Sequence, residues 1–385
     1  MSNTFETYRS QLPPETRFMC DMLSNNADAS YLSMASTHLA PAKLLEVLQW
    51  HRVYPAFYSV WRNLPQQNDI SWQQFDKNLK NLVEKNRLRM MQKTVRLIRV
   101  IKALEDAGVP VISLKGPALA FQLFGDVGMR SSWDLDILVQ PELFVKAVEI
   151  LKGLRYSNFF LKDKLTPKQW KYSIRHFHHF TFFEDDNCVE LHWRLMHLEH
   201  LTNFRNKDLW QKPRQIEVAG APIKVLDNKF ELAHLAAHGA SHSFFRLAWL
   251  YDLAAFQRLH KDDFADLYHS LESCGCTPLI QTVYACADIA FKGNNLPVNE
   301  VNIRFINHFT RAIKKPESKR FKSVILNEYM GKIMLVKDWG KKLNILQIMS
   351  TSPKDWASLK LNDRLFFLYF VLRPFLALKR VVFDR

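Results

Sequence analysis

The feature that most constrains the fold is a change in hydrophobic periodicity, which occurs twice along the chain. Up to about Glu105, apolar residues recur at the three- and four-residue steps of amphipathic helices. Beyond it they change to short apolar runs and two-residue alternation, which are typical of strands. Helical periodicity returns at Asp227, a residue type favoured at helix N-caps. The pattern predicts an α+β fold in which a small mixed sheet, in residues 106–226, lies between helical regions 1–105 and 227–385.

The central region is predicted to contain one strand–helix–strand unit and two hairpins. Gly108 and Pro117 mark a helix end and a helix start, because glycine suits the residue after a helix and proline suits its first turn. The predicted elements are, in order, a strand at 109–114, a helix at 117–124, a strand at 132–139, a helix at 141–154, a hairpin of 178–183 with 188–193, and a hairpin of 215–218 with 222–226.

The clearest helix of the N-terminal region is predicted from Asn81 to Glu105. Apolar and basic residues recur on different faces of it at helical spacing. We expect the apolar face to pack on the protein and the basic face to be solvated, with phosphate binding as the alternative for the basic face. The apolar residues are Leu88, Met91, Val95 and Ile98, and the basic residues are Arg89, Lys93, Arg96 and Lys102.

Two carboxylates, Asp134 and Asp136, are placed side by side by strand alternation. Residues i and i+2 of a strand share one face, so Leu135 and Ile137 are expected to point to the core. Neighbouring carboxylates repel each other, and a divalent cation such as Mg²⁺ relieves the repulsion with the oxygen ligands it prefers. The pair therefore predicts a metal site, with a solvated polar strand as the alternative.

A third carboxylate, Glu190, lies on the predicted strand at 188–193. The apolar residues of this strand alternate with Cys188, Glu190 and His192, so these three share the face opposite the core. Three carboxylates on adjacent strands suit metal-assisted phosphoryl or nucleotidyl transfer, in which two ions clamp the attacking and leaving oxygens. A single acid on a solvated strand is the alternative interpretation of Glu190.

Lys115 and Gly116 lie at a strand-to-helix junction that suits a phosphate. Free backbone N–H groups and the helix dipole attract an anion there, and glycine lets a phosphate approach the backbone closely. Arg130, four residues before Asp134, is predicted to supply a guanidinium fork to a phosphate oxygen. The sequence thus predicts a nucleotide-phosphate site beside the carboxylates.

Four pieces of sequence, in order, resemble the nucleotidyltransferase superfamily with the DNA polymerase β-type fold. The likeness is greatest to a poorly characterised bacterial branch with the signature L-K-G followed by R-x-x-x-D-x-D-x-L-V. This chain has Lys115-Gly-Pro117 where better-known relatives carry Gly-Ser or Gly-Gly. The four pieces are Leu114-Lys-Gly-Pro-Ala-Leu119; Gly128-Met-Arg130 with Asp134-Leu-Asp-Ile-Leu-Val139; Val189-Glu-Leu-His-Trp193; and His238-Gly-Ala-x-His242 with Arg246-Leu-x-Trp249 and Asp252.

The resemblance implies metal-dependent transfer of a nucleoside monophosphate from an NTP to an acceptor hydroxyl, with release of pyrophosphate. It implies that Asp134 and Asp136 are metal ligands, that Glu190 is the third acidic residue, and that Lys115 with Gly116 binds phosphate. The expected cofactor is Mg²⁺ or Mn²⁺. The acceptor stays open among a small molecule or sugar, a protein and an RNA. Two alternatives are a non-catalytic nucleotide- or RNA-binding module and a membrane-surface factor in envelope or polysaccharide biosynthesis.

Three histidines, His234, His238 and His242, recur at four-residue steps on one helix face. The spacing is acceptable for metal ligands, but the sequence lacks the glutamate of the H-E-x-x-H zinc motif. We expect this face to pack on the catalytic core, with His242 or Arg246 reaching the nucleotide. The histidines within residues 176–179 are expected to pack at a strand end, with base stacking as the alternative.

Charge favours a polyanionic partner. The formal net charge is +15, and basic residues concentrate between Arg311 and Lys342. That segment is predicted either as a solvated helical face or as a platform for RNA or another polyanion, since phosphate contacts need Lys and Arg without a particular motif.

Cysteine usage and apolar stretches bear on the compartment. The five cysteines include no C-x-x-C pair, and the N-terminal residues lack a basic region followed by an apolar core, so reduced thiols and a cytoplasmic location are predicted. The longest apolar stretch, residues 365–378, is interrupted by Pro374 and is too short to span a bilayer. We expect it to form a helix docked on the protein, with peripheral membrane contact as the alternative.

Overall fold

The structure is a computed structural model that describes most of the chain, and the described part is an α+β fold, as predicted. The described residues are 2–24, 38–65, 69–158, 165–195, 205–292, 301–314, 330–336, 339–340, 342–343, 345 and 351–383.

Six strands form one mixed sheet in the described structure. They are β1 (Ile112–Ser113), β2 (Asp134–Leu138), β3 (His179–Glu184), β4 (Asn187–His192), β5 (Arg214–Val218) and β6 (Ala221–Val225). Their order across the sheet is β3-β4-β2-β1-β6-β5. β2 runs parallel to β4 and antiparallel to β1, whereas β1 runs parallel to β6. The outer strands β3 and β5 pair with β4 and β6 as the two predicted hairpins.

Helices precede, interrupt and follow the sheet. They are α1 (Ser2–Ser10), α2 (Pro14–Leu23), α3 (Pro41–His51), α4 (Tyr54–Trp61), α5 (Ile70–Asp106), α6 (Gly116–Phe124), α7 (Phe144–Gly153), α8 (Pro167–His176), α9 (Asn228–Ser241), α10 (Ala248–Leu259), α11 (Phe264–Ser270), α12 (Thr277–Phe291), α13 (Ile303–Ala312), α14 (Pro353–Ser358) and α15 (Leu368–Phe383). The predicted N-cap of α9 is confirmed, because the Asp227 side chain accepts a hydrogen bond from the Lys229 amide at 3.1 Å.

The elements predicted in the central region are present in the predicted order, with shifted boundaries. The predicted strand at 109–114 shortens to β1, and the helix predicted from Pro141 starts with a 3₁₀ turn, Pro141–Leu143, before α7. The five cysteines are free, in agreement with the predicted reduced thiols.

Two large hydrophobic clusters hold the molecule together. One lies between a face of the sheet and helices α5 and α7, and it contains Leu135 of β2 and Leu191 of β4. The other joins the N-terminal helices to the C-terminal ones, and Phe57 of α4 and Phe309 of α13 are both fully buried in it. The helices before and after the sheet therefore share one core, which also includes Ile112 of β1 and Leu138 of β2.

The long helix α5 packs differently from the prediction. Its apolar residues Leu88, Met91 and Val95 are all more than half exposed, whereas Lys93 is buried. Lys93 Nζ donates a hydrogen bond to the Trp133 carbonyl at 2.6 Å. The expectation of a buried apolar stripe and a solvated basic face is therefore wrong at these residues, because α5 holds the loop before β2 through polar contacts on that side.

Residues 365–378 lie mostly in α15, which docks on the protein as predicted. Tyr369 is fully buried and packs in one cluster with Tyr172 of α8 and Trp356 of α14. Pro374 lies inside this helix and does not end it. The apolar side chains of this segment that remain exposed are Leu365, Phe367, Phe370, Val371 and Phe375. Within the described ranges, no helix is long and apolar enough to cross a membrane.

Candidate active site

The sheet register brings the three predicted carboxylates to one face. β2 and β4 are parallel neighbours, with Asp136 opposite Glu190 and Asp134 opposite Cys188. Asp136 is buried, and Asp134 and Glu190 are half-buried. All three line the same cleft. Leu135 and Ile137 of β2, and Val189 and Leu191 of β4, point to the opposite face and are buried in the core. The face predicted for each residue of these two strands is therefore confirmed.

Asp136 forms a buried ion pair with Lys115. Lys115 Nζ lies 2.9 Å from Asp136 Oδ1, and the two side chains are 8% and 0% exposed. The same Nζ lies 3.4 Å from Nε2 of His238 on α9. Burial by itself lowers the pKa of Lys115, but the charges of Asp136, Asp134 and Glu190 outweigh burial and raise this pKa. The ammonium group thus neutralises part of the acidic cluster.

Histidines on β3 and β4 face the same carboxylates. His192 Nε2 lies 3.3 Å from Asp136 Oδ1 and 3.6 Å from Glu190 Oε2. His179 Nε2 lies 3.5 Å from Glu190 Oε1, and its Nδ1 lies 2.9 Å from Nε2 of His178. His178 and His179 lie at the start of β3, the strand end at which they were expected to pack, and they also line the cleft.

The pKa shifts follow from this crowding. Burial lowers the pKa of His192, but its hydrogen bonds to Asp136 and Glu190 outweigh burial and raise it. Burial raises the pKa of Glu190, but the charge of His179 and the hydrogen bond and charge of His192 outweigh burial and hold this pKa at about 2. Glu190 is therefore ionised and available as a ligand at neutral pH.

The donor atoms at this point of the cleft fit a divalent metal ion. One ligand atom each from Asp136, Glu190 and His192 lies within 4.8 Å of the others. Asp136 Oδ2 is buried and has no hydrogen-bond partner in the described structure, which leaves one oxygen available. Asp134 lies at the start of β2, where Ser132 Oγ donates a hydrogen bond to its Oδ1 at 3.1 Å. The oxygen-rich set suits Mg²⁺ or Mn²⁺.

The predicted phosphate-binding junction lies beside these carboxylates. Gly116 begins α6 with a φ of +65°, a conformation that favours glycine. A Cβ at this position would lie 3.5 Å from the Asp134 carbonyl oxygen, so the chain passes close to the start of β2. The N-terminus of α6 is thus near the acidic cluster, and its dipole favours an anion there.

Arg130 also lines the cleft, but its guanidinium binds a carboxylate of the protein. Its Nε lies 3.1 Å from both carboxylate oxygens of Asp252 on α10, and Nη2 lies 3.0 Å from Oδ2. The side chains are 8% and 2% exposed. The pair joins the loop before β2 to the C-terminal helices. The predicted contact of Arg130 with phosphate stays a prediction.

The N-terminal helices fix the loop that leads into β2. Asn86 Nδ2 of α5 donates hydrogen bonds to the carbonyls of Gly128 at 3.0 Å and Arg130 at 3.2 Å. The Tyr54 hydroxyl of α4 donates to Asn86 Oδ1 at 3.0 Å. These buried, mutually satisfied groups hold the aspartate-bearing strand in place, because displacing it would leave them unpaired.

The turn between α9 and α10 brings cations and aromatic rings to the cleft. His242, Arg246 and Trp249 line it, and the rings of His242 and Trp249 are 5.0 Å apart. Arg246 Cζ lies 5.9 Å from the Trp50 ring centroid. Arg52, just after α3, lines the cleft too, and burial together with the charge of Arg246 lowers its pKa to about 9. Two neighbouring guanidinium groups favour an anionic ligand on this wall.

Gly239 allows this turn to form. Ser243 and Phe244 have φ values of 54° and 46°, which side chains rarely adopt, and Phe244 is fully buried. A Cβ at position 239 would lie 2.0 Å from Phe244 Cε1. The glycine therefore makes room for the ring that anchors the turn carrying His242 and Arg246.

Gly239→Ala is expected to displace Phe244 and to lower the free energy of unfolding by about 1–3 kcal/mol, as overpacking does. It is also expected to weaken NTP binding, because His242 and Arg246 shift with the turn. Urea unfolding and NTP titration of tryptophan fluorescence measure the two effects. Gly153→Ala is the control, since a Cβ there meets no atom within 4 Å. Equal stability of the two variants would contradict this role of Gly239.

The predicted histidine row on α9 packs against the core. His234 is buried, and burial lowers its pKa to about 3, so the ring is neutral. The ring centroids of His234 and His238 are 5.9 Å apart, and those of His238 and His242 are 4.9 Å apart. In the part of the chain that the structure describes, these three histidines do not form a metal-binding group.

The three carboxylates, Lys115, Arg52 and Arg246 line one cavity of about 480 Å³, a size typical of small-molecule sites. Lys332, from the basic segment predicted either as a solvated helical face or as a polyanion platform, lines it as well. Most of that segment, including residues 315–329, lies outside the described residues.

Comparison with known protein families shows the family to which the chain belongs. A family model described as an uncharacterised nucleotidyltransferase matches residues 37–292. The chain belongs to this family. The match runs from just before α3 to the end of α12, so it includes the acidic cluster, the Lys115–Gly116 junction and the turn between α9 and α10. No curated protein and no solved structure matches the chain.

Sequence reasoning assigned neither His192 nor Arg52 to the site, and it considered His179 for base stacking alone. Strand alternation placed His192 on the same face as Glu190, and this was the sequence signal for His192. His179 lies opposite His192 in the β3–β4 register, and the predicted hairpin of 178–183 with 188–193 already implied this pairing. Arg52 follows an N-terminal helix far from the motifs in sequence, so no local pattern indicated it.

Proposed function

We propose that this protein transfers a nucleoside monophosphate from an NTP to an acceptor hydroxyl in a Mg²⁺- or Mn²⁺-dependent reaction that releases pyrophosphate. The observation that carries the proposal is the juxtaposition of Asp134, Asp136 and Glu190 on one face of β2 and β4, beside the Lys115–Gly116 junction. Family membership supports nucleotidyl transfer in general.

Asp134, Asp136 and Glu190 would hold the divalent ion. When bound, the ion polarises the α-phosphate and lowers the pKa of the acceptor hydroxyl. Both oxygens of Glu190 face imidazoles, at 3.5 Å and 3.6 Å, which fixes the carboxylate in the cleft. We therefore assign Glu190 as a ligand in preference to a general base.

The cations of the cleft would hold the triphosphate. Lys115 is already placed at the acidic cluster, and its ammonium offsets phosphate charge from there. Gly116 lets the phosphates approach the backbone at the start of α6. Arg52 and Arg246 supply a second positive wall, so the charge of the nucleotide is balanced on two sides.

The acceptor class is left to experiment. A small molecule or sugar, a protein side chain and an RNA end all offer a hydroxyl, and Lys332 at the rim supports an anionic acceptor. A non-catalytic nucleotide-binding module is the second candidate function. It is less well supported, because all three carboxylates are present and face one cleft.

The test is transfer of label from each α-³²P NTP with Mg²⁺ into total RNA, a metabolite extract or the protein itself. The wild type is expected to label one fraction, and the double variant Asp134→Ala/Asp136→Ala none. Glu149→Gln, on an exposed part of α7, is the control and should match the wild type. Label transfer by the double variant would contradict the proposal, and NTP binding with no transfer into any fraction would favour the non-catalytic module.

A further inference from the structure

We infer that His192 is itself a metal ligand, so that it joins Asp134, Asp136 and Glu190 in a mixed oxygen–nitrogen site that prefers a first-row transition ion such as Mn²⁺ to Mg²⁺. This inference rests on the metal site of the proposed function and specifies its ligand set. It differs from a site of carboxylates alone, because an imidazole nitrogen enters the coordination sphere.

The separations between donor atoms fit a shared ion. His192 Nε2 lies 3.3 Å from Asp136 Oδ1 and 3.6 Å from Glu190 Oε2. An ion with bonds of about 2.1 Å holds neighbouring ligands about 3.0 Å apart in octahedral geometry and about 3.4 Å apart in tetrahedral geometry. One ligand atom from each of Asp136, Glu190 and His192 lies within 4.8 Å of the others, so small side-chain rotations bring one carboxylate oxygen of each acid and the His192 nitrogen onto one ion.

A buried, unpaired carboxylate oxygen of Asp136 also supports a metal ion at this position. Asp136 is 1% exposed, and its Oδ2 has no hydrogen-bond partner among the described residues. Its Oδ1 already lies 2.9 Å from Lys115 Nζ. A buried carboxylate oxygen without a partner is costly, and a cation removes that cost. Asp136 thus keeps one oxygen for Lys115 and offers the other to an ion.

The surroundings of Glu190 are also rich in nitrogen. His179 Nε2 lies 3.5 Å from Glu190 Oε1, and His178 Nε2 contacts the other ring nitrogen of His179 at 2.9 Å. Glu190 therefore lies between two imidazoles, on β3 and β4.

This ligand chemistry selects among ions. Mg²⁺ prefers oxygen ligands and keeps several waters, whereas imidazole binds first-row transition ions more tightly. A site with one or two imidazoles beside carboxylates is therefore expected to bind Mn²⁺ more tightly than Mg²⁺ at equal concentration.

The test is pulsed electron paramagnetic resonance of Mn²⁺ bound to the full chain with inorganic pyrophosphate, an anion without nitrogen. The wild type is expected to show coupling to ¹⁴N, and protein labelled with ¹⁵N-histidine should show ¹⁵N coupling in its place. This isotope exchange needs no substitution, so misfolding cannot produce the result. In His192→Gln the coupling should weaken or vanish and the Mn²⁺ Kd should rise about tenfold or more.

His269→Gln, an exposed histidine on α11, is the matched control and should retain the coupling. Mn²⁺ bound without nitrogen coupling would overturn this inference and leave the carboxylate site of the proposed function in place. Coupling that survives in His192→Gln but is lost in His179→Gln would overturn the assignment to His192. Absence of Mn²⁺ binding would overturn both the inference and the metal site on which it rests.

Discussion

Asp134→Asn is expected to reduce nucleotidyl transfer by about a thousandfold or more, since a divalent ion contributes several kcal/mol to the transition state. The free energy of unfolding should change by no more than about 0.5 kcal/mol, as for other substitutions outside the core. Asp134 is half-buried at the cleft edge, and asparagine keeps the Oδ1 that accepts the hydrogen bond from Ser132. Label transfer and urea unfolding measure the two quantities.

Asp136→Asn should differ from Asp134→Asn in stability, although both should lose activity. Asp136 is the buried ion-pair partner of Lys115, so asparagine removes the nearest counter-charge of a buried ammonium group. Removing one partner of a buried ion pair costs about 3–5 kcal/mol. The two aspartates share a strand face but differ in burial. The comparison therefore distinguishes Asp134, which is expected to act only as a metal ligand, from Asp136, which is expected to stabilise the fold as well.

Glu149→Gln is the control for both variants, because it removes an exposed carboxylate on α7. Wild-type transfer by Asp134→Asn would refute the role of that carboxylate. Wild-type stability of Asp136→Asn would refute the contribution of the pair with Lys115.

The acidic cluster was predictable because its signals are local. Alternation fixes which residues of a strand share a face, and a single parallel pairing of β2 with β4 then places Asp136 opposite Glu190. The Lys115–Gly116 junction was predictable for the same reason, since a strand, a glycine and a proline mark it within a few residues.

Contacts between distant segments were not predictable in this way. The polar network on α5 pairs Asn86 with carbonyls more than forty residues away, and this network selects which face of the helix is buried. Helical spacing predicted the apolar stripe, but spacing alone does not determine whether another part of the protein packs against that stripe. Leu88, Met91 and Val95 are therefore exposed despite their pattern.

Asp252→Ala is expected to lower the free energy of unfolding by about 3–5 kcal/mol, because it leaves the buried Arg130 guanidinium without a counter-charge. Two contacts of Nε and one of Nη2, at 3.0–3.1 Å, join the loop before β2 to α10. Arg87→Ala is the matched control. Arg87 pairs with Asp126 at 3.2 Å, but the two side chains are 64% and 40% exposed, so the loss should be no more than about 1 kcal/mol.

The double variant Arg130→Met/Asp252→Leu separates the structural role of Arg130 from its predicted contact with phosphate. Replacing a buried ion pair by apolar residues of similar volume is often neutral, so most of the lost stability should return. If Arg130 also binds the triphosphate, the refolded variant will bind Mg²⁺–NTP more weakly, because one guanidinium is missing from the cleft. Unchanged NTP affinity in a stable double variant would restrict Arg130 to the ion pair and leave the triphosphate to Lys115, Arg52 and Arg246.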